Sequence, residues 1–470
     1  MPKVWMRRFA LLIVAVMALA ACSSGSDSSG EGGGGGSDAG DCPVGAVDDA
    51  GGTTEIEFWH TMTDANLETL EALVADYNAS QSAVKVTAVY QGTYAENLRK
   101  YTTAVRGGGD LPDLIQLEDT ATQTMIDSGT VVPAQACVDA ADYDTSDYIQ
   151  KTLDFYTVND VLYPMPWNVS NLLLYYNKQA FEAARLDPEV APRTLADIRE
   201  ASQAIVEADA AKAGFALKLD PWWLEQMTAS VGEEFVNNEN GRAERATEAT
   251  FDNDAGLEVY QWMQDMVDDG LASNTGSPEG GNFDNLISIG TAEAAMTMDT
   301  SASLGTIRDV LASGDFPNVT LGVGPRANLE GEELNAVVAG GANYIINEGS
   351  PAEQDAAWQF QTWLNEPEQQ ATWAVGTGYI PIRESSADLP EIQELWAAEP
   401  EFKVAYDQLL GGESNVATAG PVIGPYREVR DGIIASFERM LGEGVSPEDA
   451  IAGANSEADS IIQEYNDLNS

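Results

Sequence analysis

The alternation Glu55-Ile56-Glu57-Phe58-Trp59 places apolar side chains on one face of an extended segment and predicts a strand. Behind Thr63 and Asp64, which are suited to capping, Leu67, Leu70, Val74 and Tyr77 recur at helical spacing. Val84, Val86 and Ala88 alternate again, a helix fits Tyr94 to Val105, and a third short strand fits Asp113 to Leu117 after Gly-Gly-Gly-Asp-Leu-Pro. Strand, helix, strand, helix, strand predicts an α/β fold with a parallel sheet and helices on its faces. In such sheets ligands bind beyond the carboxyl ends of the strands. That rule directs attention to the loops around Trp59-His60, Gln91 to Tyr94 and Glu118-Asp119.

Further on, Pro164-Met165-Pro166-Trp167-Asn168-Val169-Ser170 is too rich in proline for a helix and reads as an extended connection between lobes, followed by the apolar run Leu172 to Tyr176. A helical middle includes Leu257, Tyr260 and Met263 to Met266. Another short apolar strand, Ala294 to Met298, runs into Asp299-Thr300-Ser301. Val337 to Gly341 leads into a strand-like Tyr344 to Ile346, and the remainder reads as mostly helix, the final clear one carrying Ile433, Ile434, Phe437, Met440 and Leu441 on one face. There is no internal repeat. At roughly 100–200 residues per domain, the 470 residues suggest two or three domains.

Charge narrows the function classes. With 76 acidic against 23 basic side chains the formal charge is −53, and a chain without a basic surplus has little to offer a nucleic-acid backbone. A single histidine, His60, argues against the usual zinc sites and most histidine-dependent triads. The first residues are an address: Lys3, Arg7 and Arg8, an apolar run from Phe9 to Ala21, then Leu19-Ala20-Ala21-Cys22. The run is too short for a membrane span of ~20 residues. Its ending resembles the bacterial lipoprotein box, in which the cysteine, here Cys22, is lipidated and becomes the new N-terminus; an ordinary cleaved signal is the alternative. Residues 22–52, rich in Ser, Gly and Asp, read as a flexible tether. Outside the cytoplasm the two remaining cysteines, Cys42 and Cys137, can pair in a disulfide or stay as free thiols.

Little in the sequence points to catalysis. His60 reads as a hydrogen-bonding residue at a strand end. Asp299-Thr300-Ser301 is similar to the aspartic-protease triplet but has no second copy to share a proton with. Among so many acids, paired carboxylates at glycosidase spacing arise by chance. There is no Gly-Lys dipeptide for a phosphate loop, and Asp252-Asn253-Asp254 reads as a helix cap rather than a calcium loop. The aromatic residues Trp59, Tyr94, Trp167, Trp222, Trp223 and Tyr379 stand in loop-like or Pro/Gly-flanked positions, where flat faces suit a sugar, glycerol or a choline head. Arg430 sits near the start of a helix, where the dipole disfavours a cation; an anionic ligand or a surface pair with Glu428 or Asp431 would account for it.

Several of these segments together resemble the extracellular solute-binding proteins of ABC importers, family 1, and within it the glycerol-3-phosphate-binding branch. The similar stretches are Phe58 to Met62, Tyr90 to Tyr94 with Asn97-Leu98, Met165 to Asn168 with Leu174 to Lys178, Ala295 to Thr297 with Ser303-Leu304, Gly340 to Ala342, and Gly378 to Ile382. The resemblance runs in order across residues 53 to 465. It implies a two-lobe periplasmic-binding-protein-like fold of type II, with hinge-linked lobes and a ligand cleft. The expected N-lobe is 53–167 with 301–338, and the expected C-lobe is 168–300 with 339–470.

Carried over by resemblance, Tyr94, the carboxylate of Glu118, Ser170 on the first crossover and Ser301 with Ser303 on the second would bind ligand. So would Gly340 or Gly341 through its amide, Tyr379, a stacking tryptophan at Trp222 or Trp223, and Arg430 facing a phosphate, with Arg427 as its rival. Where the family often has two serines after the asparagine, this chain has Val169-Ser170. The implied function is that of a monomeric, lipid-anchored receptor on the outer face of the bacterial cytoplasmic membrane. It would bind glycerol-3-phosphate, a glycerophosphodiester or a sugar and deliver it to permease transmembrane subunits, with no cofactor, no metal, no nucleic acid and no catalytic step. A secreted glycoside hydrolase with paired carboxylates, or a sensor or adhesion module on the same fold, are the alternatives.

Overall fold

The computed structural model describes residues 41–277, 283–329, 339–412 and 414–469; the signal segment, Cys22, most of the tether and Val337-Val338 lie outside them. Thirteen strands occur among the described residues. In chain order they are β1 (Thr54–His60), β2 (Val84–Tyr90), β3 (Leu114–Glu118), β4 (Val131–Val132), β5 (Thr157–Val158), β6 (Val161–Leu162) and β7 (Met165–Ser170), then β8 (Leu172–Asn177), β9 (Ala213–Lys218), β10 (Ala272–Gly276), β11 (Ala294–Thr300), β12 (Leu321–Pro325) and β13 (Ala339–Ile346). The first sheet has the order β2-β1-β3-β13-β4, with β7 also paired to β13; the second has the order β10-β9-β11-β8-β12. β5 and β6 form a separate hairpin.

The first three strands pair in parallel, and the helices Asp64–Ser80 and Tyr94–Gly107 connect them. β13 runs antiparallel to β3, β4 and β7, and β8 runs antiparallel to β11 and β12, so both sheets are mixed. Each sheet has its own apolar core. Phe58, Trp167, Trp373 and Phe360 belong to one, while Leu174, Phe215, Trp262 and Phe437 belong to the other. β8, buried along its whole length, is the continuous apolar run expected of a strand covered on both faces.

The lobe boundaries differ from the sequence expectation. β7 stays in the first sheet to Ser170, β12 joins the second sheet, and β13 returns to the first, where the helices Pro351–Leu364 and Pro367–Thr377 also pack. The physical reason is edge complementation: β13 offers Gly341 to Ile345 as antiparallel partners to Glu118 to Leu114, and hydrophobic periodicity does not say which sheet a strand will join. The last helix was also missed. Beyond Tyr426–Glu443, Ser446 accepts the Asp449 N–H at 3.1 Å and caps a further helix, Pro447–Leu468.

Cys42 and Cys137 are joined in a disulfide, which fastens the start of the described chain to the helix Ala134–Ala141 of the first lobe. Asn253 caps the helix Asp254–Asp268 by accepting the Gly256 N–H at 2.9 Å. The crossovers are stitched together. Ser301 N–H donates to the Asn171 carbonyl at 2.8 Å, Ser301 Oγ accepts the Asn171 N–H at 3.3 Å, and Asn171 Nδ2 donates to Ala405 O at 2.9 Å.

Candidate functional site

Between the two sheets lies a cleft of about 650 Å³. The first lobe contributes the loops at the carboxyl ends of β1, β2 and β3, bringing Thr61, Tyr90, Tyr94, Glu118 and Asp119 to one wall. Tyr94 is placed there by a capping box: Thr93 Oγ1 accepts the Glu96 N–H at 3.2 Å and Glu96 Oε2 accepts the Thr93 N–H at 3.0 Å. Gly92 turns the chain into that cap with φ +92°, and a Cβ there would lie 2.0 Å from Glu96 Oε2.

A polar network behind this wall fixes its geometry. Gln116 Oε1 accepts the Thr61 N–H at 3.0 Å, Gln116 Nε2 donates to Asn168 Oδ1 at 2.9 Å, and Asn168 Nδ2 donates to the Tyr94 hydroxyl at 2.8 Å. The network joins β1, β3 and the crossover strand β7. Tyr379 enters from below on a stack of buried rings: it lies 5.3 Å from Trp373, which lies 4.6 Å from Trp167. Trp167, for which the sequence left a ligand-facing and a core role equally open, is fully buried in that stack.

The second lobe supplies Asp220, Trp222, Arg427, Arg430 and Ile434. Asp220 caps the helix Pro221–Ser230 by accepting the Trp222 N–H at 3.1 Å, and adjacent positions on a helix turn about a quarter-circle apart. Trp222 therefore faces the cleft while Trp223 turns inward and packs edge-on against Phe215, with 5.7 Å between ring centroids. We expect Trp223→Ala to cost about 3 kcal/mol of unfolding free energy in urea titration, as a buried aromatic does when truncated. Trp222→Ala, whose ring is only half-buried against the second core, should cost less stability than Trp223→Ala while weakening any cleft ligand in calorimetry. The reverse pattern would exchange their roles.

Of the residues expected from the sequence, Tyr94, Glu118, Ser170, Trp222, Gly340, Tyr379 and Arg430 line the cleft together, and Arg427 joins them. Trp223, Ser301, Ser303 and Gly341 do not. Ser301 and Ser303 are buried, Ser301 in the crossover stitch, and Gly341 faces Asn168, whose Oδ1 would lie 2.2 Å from an added Cβ. Gly340, with φ +134° and the Asn168 carbonyl oxygen 2.1 Å from an added Cβ, tolerates no side chain; its own carbonyl accepts the Tyr156 hydroxyl at 3.0 Å.

The electrostatics centre on Arg430. Its Nε and Nη2 donate to Glu225 Oε1 and Oε2 at 2.8 and 2.7 Å, a buried two-pronged pair that replaces the expected surface partners Glu428 and Asp431. Glu225, only 3% exposed, sits among apolar neighbours on the Trp222 helix; an acid in that apolar stretch was the overlooked signal. Burial opposes the charge on Arg430, yet Glu225 outweighs it and holds the guanidinium well above its ordinary range. Arg427 lies 3.4 Å from Asp431 and 4.0 Å from Glu118.

Asp119, which the sequence placed in a candidate loop without giving it a role, is a further ionisable residue at this site. Burial pushes its carboxyl up to about 7; Arg430 opposes the shift, and Glu118 and Glu225 reinforce it. Between about pH 4 and 7 the folded chain therefore holds a proton that the unfolded chain has released, so stability falls as pH rises through that window. Asp119→Asn should flatten this slope: the melting temperature of the variant should gain on the wild type as pH rises from about 4 to 7 and keep a constant offset above that. A difference that is constant across that window too would remove Asp119 as the titrating group.

His60 ends β1 in the interior, where its Nδ1 accepts the Met62 N–H at 3.3 Å and burial lowers its pKa to about 4. Asp299 is held by Lys218 Nζ at 3.2 Å and by Asn285 Nδ2 at 2.8 Å, which is an ion-pair setting and not that of a shared-proton dyad. Among the described residues there is no cluster of His, Cys, Asp and Glu that could hold a metal ion, and no helix is long and apolar enough to cross a membrane.

Comparison with known proteins bears on this architecture. Residues 72–402 match the family described as bacterial extracellular solute-binding protein. The sn-glycerol-3-phosphate-binding periplasmic protein UgpB of Brucella abortus (strain 2308) is 28% identical over 395 residues, 83% of this chain and 88% of the relative. Its counterpart in Pectobacterium atrosepticum is 27% identical over 422 residues, 88% of this chain and 93% of the relative. Among solved structures, UgpB from Mycobacterium tuberculosis in complex with glycerophosphocholine superposes with TM-score 0.73 at 20% identity, covering 88% of this chain and all of that one. The GacH receptor of Streptomyces glaucescens, solved unliganded and with acarbose, gives TM-score 0.71 at 21% identity over 88% of this chain and 99% of that one. These likenesses show a two-lobe binding-protein fold.

Proposed function

The chain belongs to the bacterial extracellular solute-binding proteins, and from that premise we propose that it is the receptor subunit of an ABC importer, holding glycerol-3-phosphate, a glycerophosphodiester or a sugar between its lobes for delivery to permease subunits. The observation that carries this is the division of the cleft: Tyr94, Glu118, Ser170, Gly340 and Tyr379 come from one sheet's side, and Asp220, Trp222 and Arg430 from the other. A solute that touches both walls favours the closed arrangement by its differential affinity. Trp222 offers a flat face, and its indole N–H has no hydrogen-bond partner among the described residues. The UgpB relatives are named for glycerol-3-phosphate, and the M. tuberculosis structure holds glycerophosphocholine, so a glycerol phosphate or its diester heads the panel.

Binding here is without turnover, and the relatives are themselves substrate-binding proteins. A lipid at Cys22 and a tether shorter than the 22–52 read from the sequence, since Cys42 and Val47 are already fastened to the first lobe, would hold the folded body, as a monomer, near the outer face of the cytoplasmic membrane. Thermal-shift screening with glycerol-3-phosphate, glycerophosphocholine and maltose tests the reading, since a ligand at a hundred times its Kd stabilises by about 2.7 kcal/mol. Chemical conversion of any of these, or no shift with all of them, would count against it.

A further inference from the structure

Of the two cationic side chains that line the cleft among the described residues, Arg430 is the more deeply buried, and the surroundings have already engaged it. Its Nε/Nη2 edge is closed by Glu225, Nη2 also faces Asp119 Oδ2 at 3.8 Å, and Nη1 faces Glu118 Oε2 at 3.9 Å. One guanidinium is thus ringed by three carboxyl groups, those of Glu225, Glu118 and the partly protonated Asp119. A planar fork binds phosphate best through two parallel N–H groups, and here only Nη1 lacks a partner at hydrogen-bonding distance. Among the described residues the cleft lining carries the carboxylates of Asp64, Glu118 and Asp220, together with Asp119, which burial keeps partly protonated near neutral pH, against the two guanidinium groups of Arg427 and Arg430. Glu225, behind the wall, offsets one of those two.

A dianionic phosphate monoester entering this field meets more like charge than opposite charge, and because the cleft opens to solvent, added salt screens part of that repulsion. A solute with an ammonium group meets the reverse situation, with Glu118 as a carboxylate partner and the face of Trp222 available for cation–π contact. A neutral sugar neither gains nor loses by the excess. Resting on the reading of the cleft as a solute site, we propose that Glu225 sets the charge class of the solute: by holding Arg430 in an internal pair, it makes the cleft select a solute of zero or positive net charge over a dianionic phosphate monoester.

The test is calorimetric titration of the full chain and of Glu225→Gln with sn-glycerol-3-phosphate, glycerophosphocholine and maltose. The wild type should bind glycerophosphocholine or maltose at least about tenfold more tightly than glycerol-3-phosphate, and Glu225→Gln should shift that ratio about tenfold towards the monoester. A purely structural role would weaken all three together and would overturn the assignment. Because Gln at a buried ion pair can cost stability, the wild type is also titrated at rising salt, where screening should improve glycerol-3-phosphate binding relative to maltose. Preference of the wild type for glycerol-3-phosphate overturns the charge-class inference and leaves the solute-binding reading standing. Binding of none of the three removes both.

Discussion

Arg430→Ala should destabilise the protein by about 3–5 kcal/mol, the usual cost of leaving one member of a buried ion pair without its partner. Glu225 is buried on the helix Pro221–Ser230, and both its oxygens are hydrogen-bonded to Arg430. With the guanidinium gone, the carboxylate must either stay charged without a partner or take up a proton. Replacing both partners, Arg430→Met with Glu225→Leu, should restore most of the stability, because two apolar side chains of similar volume need no pairing. Urea unfolding of the two single variants and the double closes the cycle. If Arg430→Ala costs under about 1 kcal/mol, Glu225 is being rescued by water or by movement of the helix, and the pair is weaker than its geometry indicates. The expected fall in stability also means that ligand affinity in Arg430→Ala must be measured below its lowered melting temperature, since unfolding would mimic lost binding.

Removal of the disulfide by Cys42→Ser with Cys137→Ala should cost about 4–5 kcal/mol, from the chain entropy released when a long loop is opened. The bridge spans 95 residues and closes the whole β1–β3 unit together with the helix Ala134–Ala141. Near the bridge, Val47 N–H donates to Asp355 Oδ2 at 2.8 Å and Val47 is itself buried, so the segment has other attachments to the helix Pro351–Leu364. Those contacts cap the loss and give a second readout: in the variant, amide exchange at residues 42–50 should rise more than at β1. A reduced protein that melts within a degree of the oxidised one would show that the packing of Val47 alone holds the segment. Since the tether precedes Cys42 in the chain, the same experiment reports how firmly its folded-side end is fixed to the first lobe.

Much of the fold was legible in local patterning. Alternation located β1 and β2, a short strand after a Gly/Pro turn located β3 and apolar runs located β8 and β11, each to within a few residues, and helical spacing located Asp64–Ser80, Tyr94–Gly107 and part of Asp254–Asp268. The rule that ligands lie beyond the carboxyl ends of parallel strands pointed to the loops that carry Tyr94, Glu118 and Asp119. Such features depend on neighbours within one turn or one strand, and that information is written in the chain itself.

What the sequence could not specify was partnership across long separations. The pairing of Arg430 with Glu225 spans 205 residues, and nothing in composition distinguishes it from a surface pair with Glu428 or Asp431. Likewise the choice between Trp222 and Trp223 turned on the orientation of one helix, fixed by its Asp220 cap and by the packing of Trp223 against Phe215. The return of β13 to the first sheet was decided by the open edge of β3. The sequence by itself determined the strongly patterned elements, the disulfide-capable cysteines and the excess of negative charge. Only the tertiary structure decided which charges face each other in a dry interior, because burial and distance, which set the strength of every such interaction, exist only once the lobes have packed.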